Sequence, residues 1–139
     1  MKVVIMGCGR VGAKLATEFD RTGHSVSIID RRPEAFRRLA SEYGGRTILG
    51  TGIDEDILRA AGIEEADCFI AVTNGDNTNI MTAQIAKHMF DVRSVICRIY
   101  DPIREEFYRE QGLDTICPTT IISEQIKERL IDGDRAQEQ

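Results

Sequence analysis

The stretch Val3-Val4-Ile5-Met6-Gly7-Cys8-Gly9-Arg10-Val11-Gly12 decides the fold. Its first four residues are apolar and mostly β-branched, the composition of a strand covered on both faces. The strand runs into Gly-x-Gly-x-x-Gly, and a helical pattern starts inside that motif. Val11, Leu15 and Phe19 recur at four-residue spacing, and Gly23 stands where a glycine closes such a helix. The motif alone carries little information; between a strand and a helix each glycine has its own task. Gly7 permits the tight turn, Gly9 lets the backbone approach a pyrophosphate, and Gly12 lets the helix pack on the strand. The free N–H groups and positive end of the helix then face phosphate charge.

Outward from this stretch, short apolar runs alternate with helical patterns. The runs are Val3–Met6, Val26–Ile29, Thr47–Leu49, Cys68–Val72, Val95–Ile99 and Thr115–Cys117. Pro33 suits the first turn of a second helix, whose face is Ala35, Phe36, Leu39 and Ala40. Asp54 caps a short helix through Ile57, Leu58 and Ala61, which Gly62 ends. Ile80, Met81, Ile85, Met89 and Phe90 stripe a fourth. Asp101-Pro102 reads as an N-cap and first helical residue, opening a fifth helix through Ile103 and Phe107 to Gly112. Strands alternating with helices imply a parallel sheet, because parallel strands need a crossover. The expected class is α/β, a Rossmann-like doubly wound sheet of six parallel strands over residues 1–118. Thr119 or Thr120 caps a further helix to about Ile131, striped by Ile122, Ile126 and Leu130 with Ile121 beside them. Two roles stay open for that helix: packing on its own sheet, or docking on a partner. Residues 132–139 are polar and are expected to fray.

Composition narrows the function. The chain has 139 residues, 23 acidic and 18 basic side chains, and a formal net charge of −5. That length fits one domain, and its charge balance argues against nucleic acid as partner, since phosphate-backbone binding needs a concentrated basic surface. No apolar run approaches the roughly 20 residues that span a bilayer. Gly7 and Arg10 interrupt the first apolar run too early for a signal peptide. Cys8, Cys68, Cys97 and Cys117 have no CxxC spacing, so neither a metal knuckle nor a disulfide is expected, and the reading is a reduced cytosolic protein.

Candidate ligand groups fall at the carboxyl ends of the strands, where open α/β sheets bind. Asp30 lies 18 residues after Gly12, at the end of the second strand. An acidic side chain there accepts hydrogen bonds from both ribose hydroxyls of an adenosine and repels a 2′-phosphate. Its alternative is a turn residue ahead of Pro33, and the neighbouring Arg31 and Arg32 could hold a 2′-phosphate. Gly50-Thr51-Gly52-Ile53-Asp54 brings backbone toward an adenine edge, or is simply a turn and cap. Thr73 and Asn74 would face the cleft, or belong to the Asn- and Asp-rich turn around them. Arg98, near the end of the fifth strand, is expected to need an anionic partner, either phosphate or a neighbouring carboxylate. Arg10 can reach a terminal phosphate or solvent. A Walker lysine is not expected, because Ala13 follows Gly12 and Lys14 comes one place late.

Catalytic groups are missing from that edge. His24 precedes the second strand and His88 comes late in the fourth helix, both away from the cleft. Tyr43, Tyr100 and Tyr108 are followed four places later by Thr47, Arg104 and Gly112, so the Tyr-x-x-x-Lys signature is absent. The chain is therefore read as no enzyme. The alternatives are an NAD-dependent oxidoreductase whose substrate residues come from a partner chain, and a thiol sensor using Cys8 beside the helix N-terminus.

The ordered set Met6-Gly7-Cys8-Gly9-Arg10-Val11-Gly12, Asp30, Leu58-Arg59-Ala60-Ala61-Gly62-Ile63, Ala66-Asp67, Ala71-Val72-Thr73, Asn79, Ile96-Cys97-Arg98, Gly112-Leu113-Asp114 and Ile116-Cys117-Pro118 resembles a known family. It is similar to the nucleotide-binding N-terminal domain of regulators of potassium conductance, of the TrkA type, over roughly residues 1–130. The resemblance implies a sensor that binds one adenine nucleotide per subunit, NAD(H) or ATP/ADP. It implies a homodimer or larger ring on the cytoplasmic side of the membrane. Its partner would be a membrane potassium transporter or channel subunit, with no insertion of its own. By position, Gly7, Cys8, Gly9, Arg10, Val11 and Gly12 would meet the phosphates and Asp30 the ribose, with Arg31 beside it. Gly52 and Ile53 would flank the adenine, while Thr73, Asn74 and Arg98 line the cleft. The family usually reads Gly-Asp-Ala where this chain has Gly50-Thr51-Gly52, and its members commonly continue into a C-terminal ligand domain, whereas this sequence stops at Gln139.

Overall fold

A computed structural model describes residues 1–137. Six strands form one sheet: β1 Lys2–Met6, β2 Ser25–Asp30, β3 Arg46–Leu49, β4 Cys68–Ala71, β5 Ser94–Arg98 and β6 Asp114–Ile116. All neighbours pair in parallel, in the order β3-β2-β1-β4-β5-β6. The order reverses between β1 and β4, where Met6 pairs with Ala71 at the carboxyl edge. The expected six-stranded, doubly wound parallel sheet is therefore the observed one. The helices are α1 Arg10–Arg21, α2 Glu55–Ala60, α3 Asp76–Gln84, α4 Pro102–Glu110 and α5 Pro118–Gln137.

Two cores flank the sheet. One holds Val4, Met6, Leu58, Phe69, Ile80 and Ile99; the other holds Val3, Ile5, Ala13, Ala16, Val26 and Ile28 beneath α1. Alternation along β1 sends Val3 and Ile5 one way and Val4 and Met6 the other, as a doubly covered strand requires.

Several local readings change. The buried residues of α1 are Gly12, Ala13, Ala16 and Thr17, not the large stripe; Leu15 and Phe19 are half-buried at its margin and Val11 is exposed. Small side chains let the helix axis approach the strand closely. The segment after Pro33 is a 3-10 helix, Pro33–Arg38, too short for the expected stripe to continue through Leu39 and Ala40. In α3 the buried face is Asn79, Ile80, Thr82 and Ala83, while Met81 is exposed. A π turn over Ile85–Met89 then re-phases the helix and leaves Met89 exposed. Asp54 and Asp101 cap α2 and α4 as read, accepting from Asp56 N at 2.9 Å and Ile103 N at 3.0 Å. However, α4 buries none of its residues, and its Ile103 is 81% exposed. Finally, α5 starts at Pro118 and continues well past Ile131, so residues 132–137 are helical rather than frayed; residues 138–139 of the expected tail lie outside the described residues. From Ile121 to Asp134 every α5 residue is exposed, which rules out packing on its own sheet within this chain.

Candidate functional site

A cleft of about 570 Å³ opens at the strand-order reversal. Its floor is apolar, with Met6, Ala35, Leu49, Ile53 and Val72 contributing. The glycine loop forms one wall. Gly7 has φ +110°, and a Cβ on it would stand 2.8 Å from the Val72 carbonyl oxygen. Only a residue without a side chain lets β1 turn directly against the end of β4. A Cβ on Gly12 would stand 1.8 Å from the Gly7 carbonyl oxygen, so that glycine seats α1 on the loop. A Cβ on Gly9 would meet nothing within 4 Å. That space is where a ligand can approach the backbone. Gly9 is also the N-cap residue of α1; no side chain caps that end and no acid lies in its first turn. The first N–H groups of α1 thus remain free for an anion.

Asp30 ties this wall to the next. Its Oδ2 accepts from Cys8 N at 2.9 Å and its Oδ1 accepts from Arg32 N at 2.9 Å. The turn role and the loop-facing position are therefore both real. A carboxylate offers about four acceptor sites, so capacity for hydroxyl donors remains. Arg31, Arg32 and Arg38 line the same end and are exposed. Among the described residues none of the three forms an ion pair, and neither does Arg10. A second groove of about 480 Å³ runs along α1 past Arg10, Lys14 and Arg38, so Arg38 borders both hollows.

The β4 end supplies the opposite wall, with Thr73, Asn74, Gly75 and Thr78. Asn79, fully buried, braces it. Its Oδ1 accepts from Thr73 N at 2.8 Å and Thr73 Oγ1 at 2.7 Å, and its Nδ2 donates to the Thr73 and Arg98 carbonyls at 3.0 Å each.

Of the residues read from sequence, Gly7, Cys8, Gly9, Asp30, Arg31, Ile53, Thr73 and Asn74 come together around the cleft. Arg10 lines the adjoining groove and Val11 is exposed at the start of α1. Gly12 and Gly52 lie behind the wall; a Cβ on Gly52 would press Thr82 Cγ2 at 2.9 Å and Met6 Sδ at 3.0 Å. Arg98 is also behind it, 8% exposed. Among the described residues it meets no carboxylate: its Nη2 donates to the Val72 and Thr73 carbonyls at 2.7 and 3.0 Å, and its guanidinium lies over the Tyr100 ring. Of the two expected partners, the neighbouring carboxylate is thus corrected, since carbonyls and an aromatic face take its place. Cys8 is corrected too. It is fully buried and its thiol donates to the Ala35 carbonyl at 3.3 Å. Burial, and then the Asp30 carboxylate, push the thiol up to about 11, so the helix end does not yield a reactive thiolate. Arg38 and Thr78 were not foreseen. Asn79 carried a signal in retrospect: it is a polar residue beside Ile80 on the face that α3 turns to the sheet.

The model of the TrkA-N domain matches residues 3–119. The chain belongs to the TrkA-N domain family. The Trk system potassium uptake protein TrkA of Streptomyces coelicolor is 50% identical over 131 residues, which are 94% of this chain and 59% of that protein. The chain thus spans less than two-thirds of the length of this curated relative. The TrkA-N domain of the inner membrane protein ybaL from Escherichia coli shares the fold at TM-score 0.77 and 22% identity, covering 92% of this chain and 95% of that one. The GsuK channel bound to NAD shares it at TM-score 0.69 and 18% identity, covering 86% of this chain and 22% of that one. Among the described residues no helix is long and apolar enough to cross a membrane, and no His, Cys, Asp and Glu cluster suits a metal ion.

Proposed function

We propose that this TrkA-N domain is the nucleotide-binding regulatory part of a potassium-uptake system, and not an enzyme. One adenine nucleotide, NAD(H) or ATP/ADP, occupies the cleft of each subunit. The observation that carries this reading is the uncapped α1 N-terminus, open at Gly9 and tethered through Cys8 to Asp30. The residues present fit such a ligand. The loop N–H groups, with Arg10, receive the phosphates; Asp30 accepts from the ribose, with Arg31 at its edge. Gly52 lets the loop carrying Ile53 lie close beside the adenine. Thr73 and Asn74 complete the wall, and Arg98 acts through the carbonyls it holds. When bound, the nucleotide supplies negative charge and hydroxyl donors rather than covalent chemistry. Its likeness in fold to a channel solved with NAD supports the same ligand class.

A second copy of the chain is the expected covering for the apolar residues left bare: Ile103 and Phe107 on α4, and Ile122, Ile126 and Leu130 on α5. Each ligand shifts the dimer only by its differential affinity for two arrangements of the pair. The output is passed to a membrane potassium transporter or channel subunit, which holds the domain at the cytoplasmic face. Calorimetry of the protein with NAD, NADH, ATP and ADP tests the reading. Binding of at least one of them tighter than millimolar is expected; no binding by any of the four would end it.

A further inference from the structure

Between the cleft and the base of α5 runs a continuous set of polar contacts that nucleotide binding alone does not require. Asn79 uses both lone-pair directions and both N–H groups of its amide to hold Thr73 and Arg98 together. Arg98 reaches from the end of β5 to the Val72 and Thr73 carbonyls, directly behind the cleft wall. Its guanidinium carbon lies 4.8 Å from the centre of the Tyr100 ring. The Tyr100 carbonyl in turn accepts from Thr119 Oγ1 at 2.8 Å, in the first turn of α5, and from Cys117 Sγ at 3.6 Å. From the other side, Asp76, just past the cleft loop, accepts from the N–H groups of Tyr100 and Asp101 at 2.8 and 3.1 Å.

Two features make this set more than scaffolding. Arg98 Nε is buried without a hydrogen-bond partner, an unusual state for a charged donor. Two acceptors of the guanidinium belong to the cleft wall itself, so a shift of the Thr73–Gly75 segment would change what it can reach. The other feature is α5 itself: from Ile121 to Asp134 its residues are exposed, so among the described residues its setting depends on its first turn.

We propose that Asn79 and Arg98 are positioning residues that couple the Thr73–Gly75 wall of the cleft, through Tyr100 and Thr119, to the setting of α5. The inference rests on the nucleotide-binding reading above. It assigns the direction in which that site reports: toward β5, β6 and α5, not toward β2 and β3.

Hydrogen exchange of the full 139-residue chain, read by mass spectrometry with and without ADP or NADH, tests it. In the wild type, nucleotide should slow exchange in residues 6–12 and 73–79 and change it in residues 117–123 by about fivefold, the lower range of site-to-site coupling. Thr119→Val changes an exposed residue and is expected to leave folding intact. It should keep the cleft response and shrink the α5 response to less than about twofold. Tyr100→Leu, which removes the ring under the guanidinium, should do the same. Retention of the full α5 response in both variants would overturn the coupling. So would a wild-type cleft response with no change at 117–123, which leaves the nucleotide site standing. No response at the cleft with any nucleotide would sink the binding reading, and the coupling with it.

Discussion

The two halves of the sheet solve the same packing problem differently. On the β1–β2 side, α1 buries glycine, alanine and threonine and lies close against the strands. On the β5–β6 side, α4 buries nothing, and Ile103, Phe107, Ile96 and Ile116 remain more than a third exposed. The first half is finished by its own chain. The second leaves these apolar side chains exposed, the surface that the proposed second copy would cover. The lesson is that large apolar residues on a helix do not reveal which helix closes the core; in this protein the small ones do.

Five outcomes would break or sharpen that contrast. The largest belongs to the closed half. Gly12→Val places side-chain carbon against the Gly7 carbonyl, which is backbone and cannot yield cheaply. Urea unfolding should register a loss of about 3 kcal/mol or more; a near-neutral variant would mean α1 is not seated as described. Asn79→Ala, at the junction of the halves, strands the partners of a fully buried amide and should cost about 2–3 kcal/mol by the same measurement. Asp30→Ala should weaken adenosine ligands by about 1–3 kcal/mol in calorimetry; unchanged affinity would remove Asp30 from the site, while leaving its tether to Cys8 testable by loop exchange. A gentler effect comes from pH. The folded Cys8 thiol is raised from its ordinary 9.0 to about 11, so it is the unfolded chain that ionises first. Its contribution is complete below pH 9.0 and is lost as pH rises toward 11. Cys8→Ala should flatten the alkaline decline in stability over that window. The smallest change in folding belongs to the open half. Ile126→Asp with Leu130→Asp should leave unfolding within about 0.5 kcal/mol, because both residues are exposed. Sedimentation should instead show self-association lost. A large loss of monomer stability would contradict an unpartnered α5.

Most of the fold was legible because its signals are local. Glycines at a strand end, Val- and Ile-rich runs and the Asp54 and Asp101 caps each depend on a few neighbouring residues. The helical faces were less legible. Val11, Met81 and Met89 look like core residues by type, yet lie outward because close helix–sheet approach selects Ala and Thr instead, and because a π turn re-phases the end of α3. Around the cleft, Gly7, Cys8, Gly9 and Asp30 could be placed from spacing, whereas Arg10, Val11 and Gly12 of the same loop fall outside it. Arg98 could not: its burial was readable, but its partners are carbonyls brought in from another strand, and no sequence pattern marks those. Thr78 and Arg38 reach the cleft through helix phase and chain crossing, which spacing does not encode.

The length of α5 carries a mechanical consequence. Twenty residues of helix form a rod of about 30 Å. Among the described residues it is held by its own chain near Thr119 and exposed from Ile121 to Asp134, so it has the form of a lever pivoted at one end. A tilt of about 10° at that pivot carries the far end through about 5 Å, on that same helical rise. Displacements too small to disturb the cleft can in this way become a change of position that a neighbouring molecule can feel.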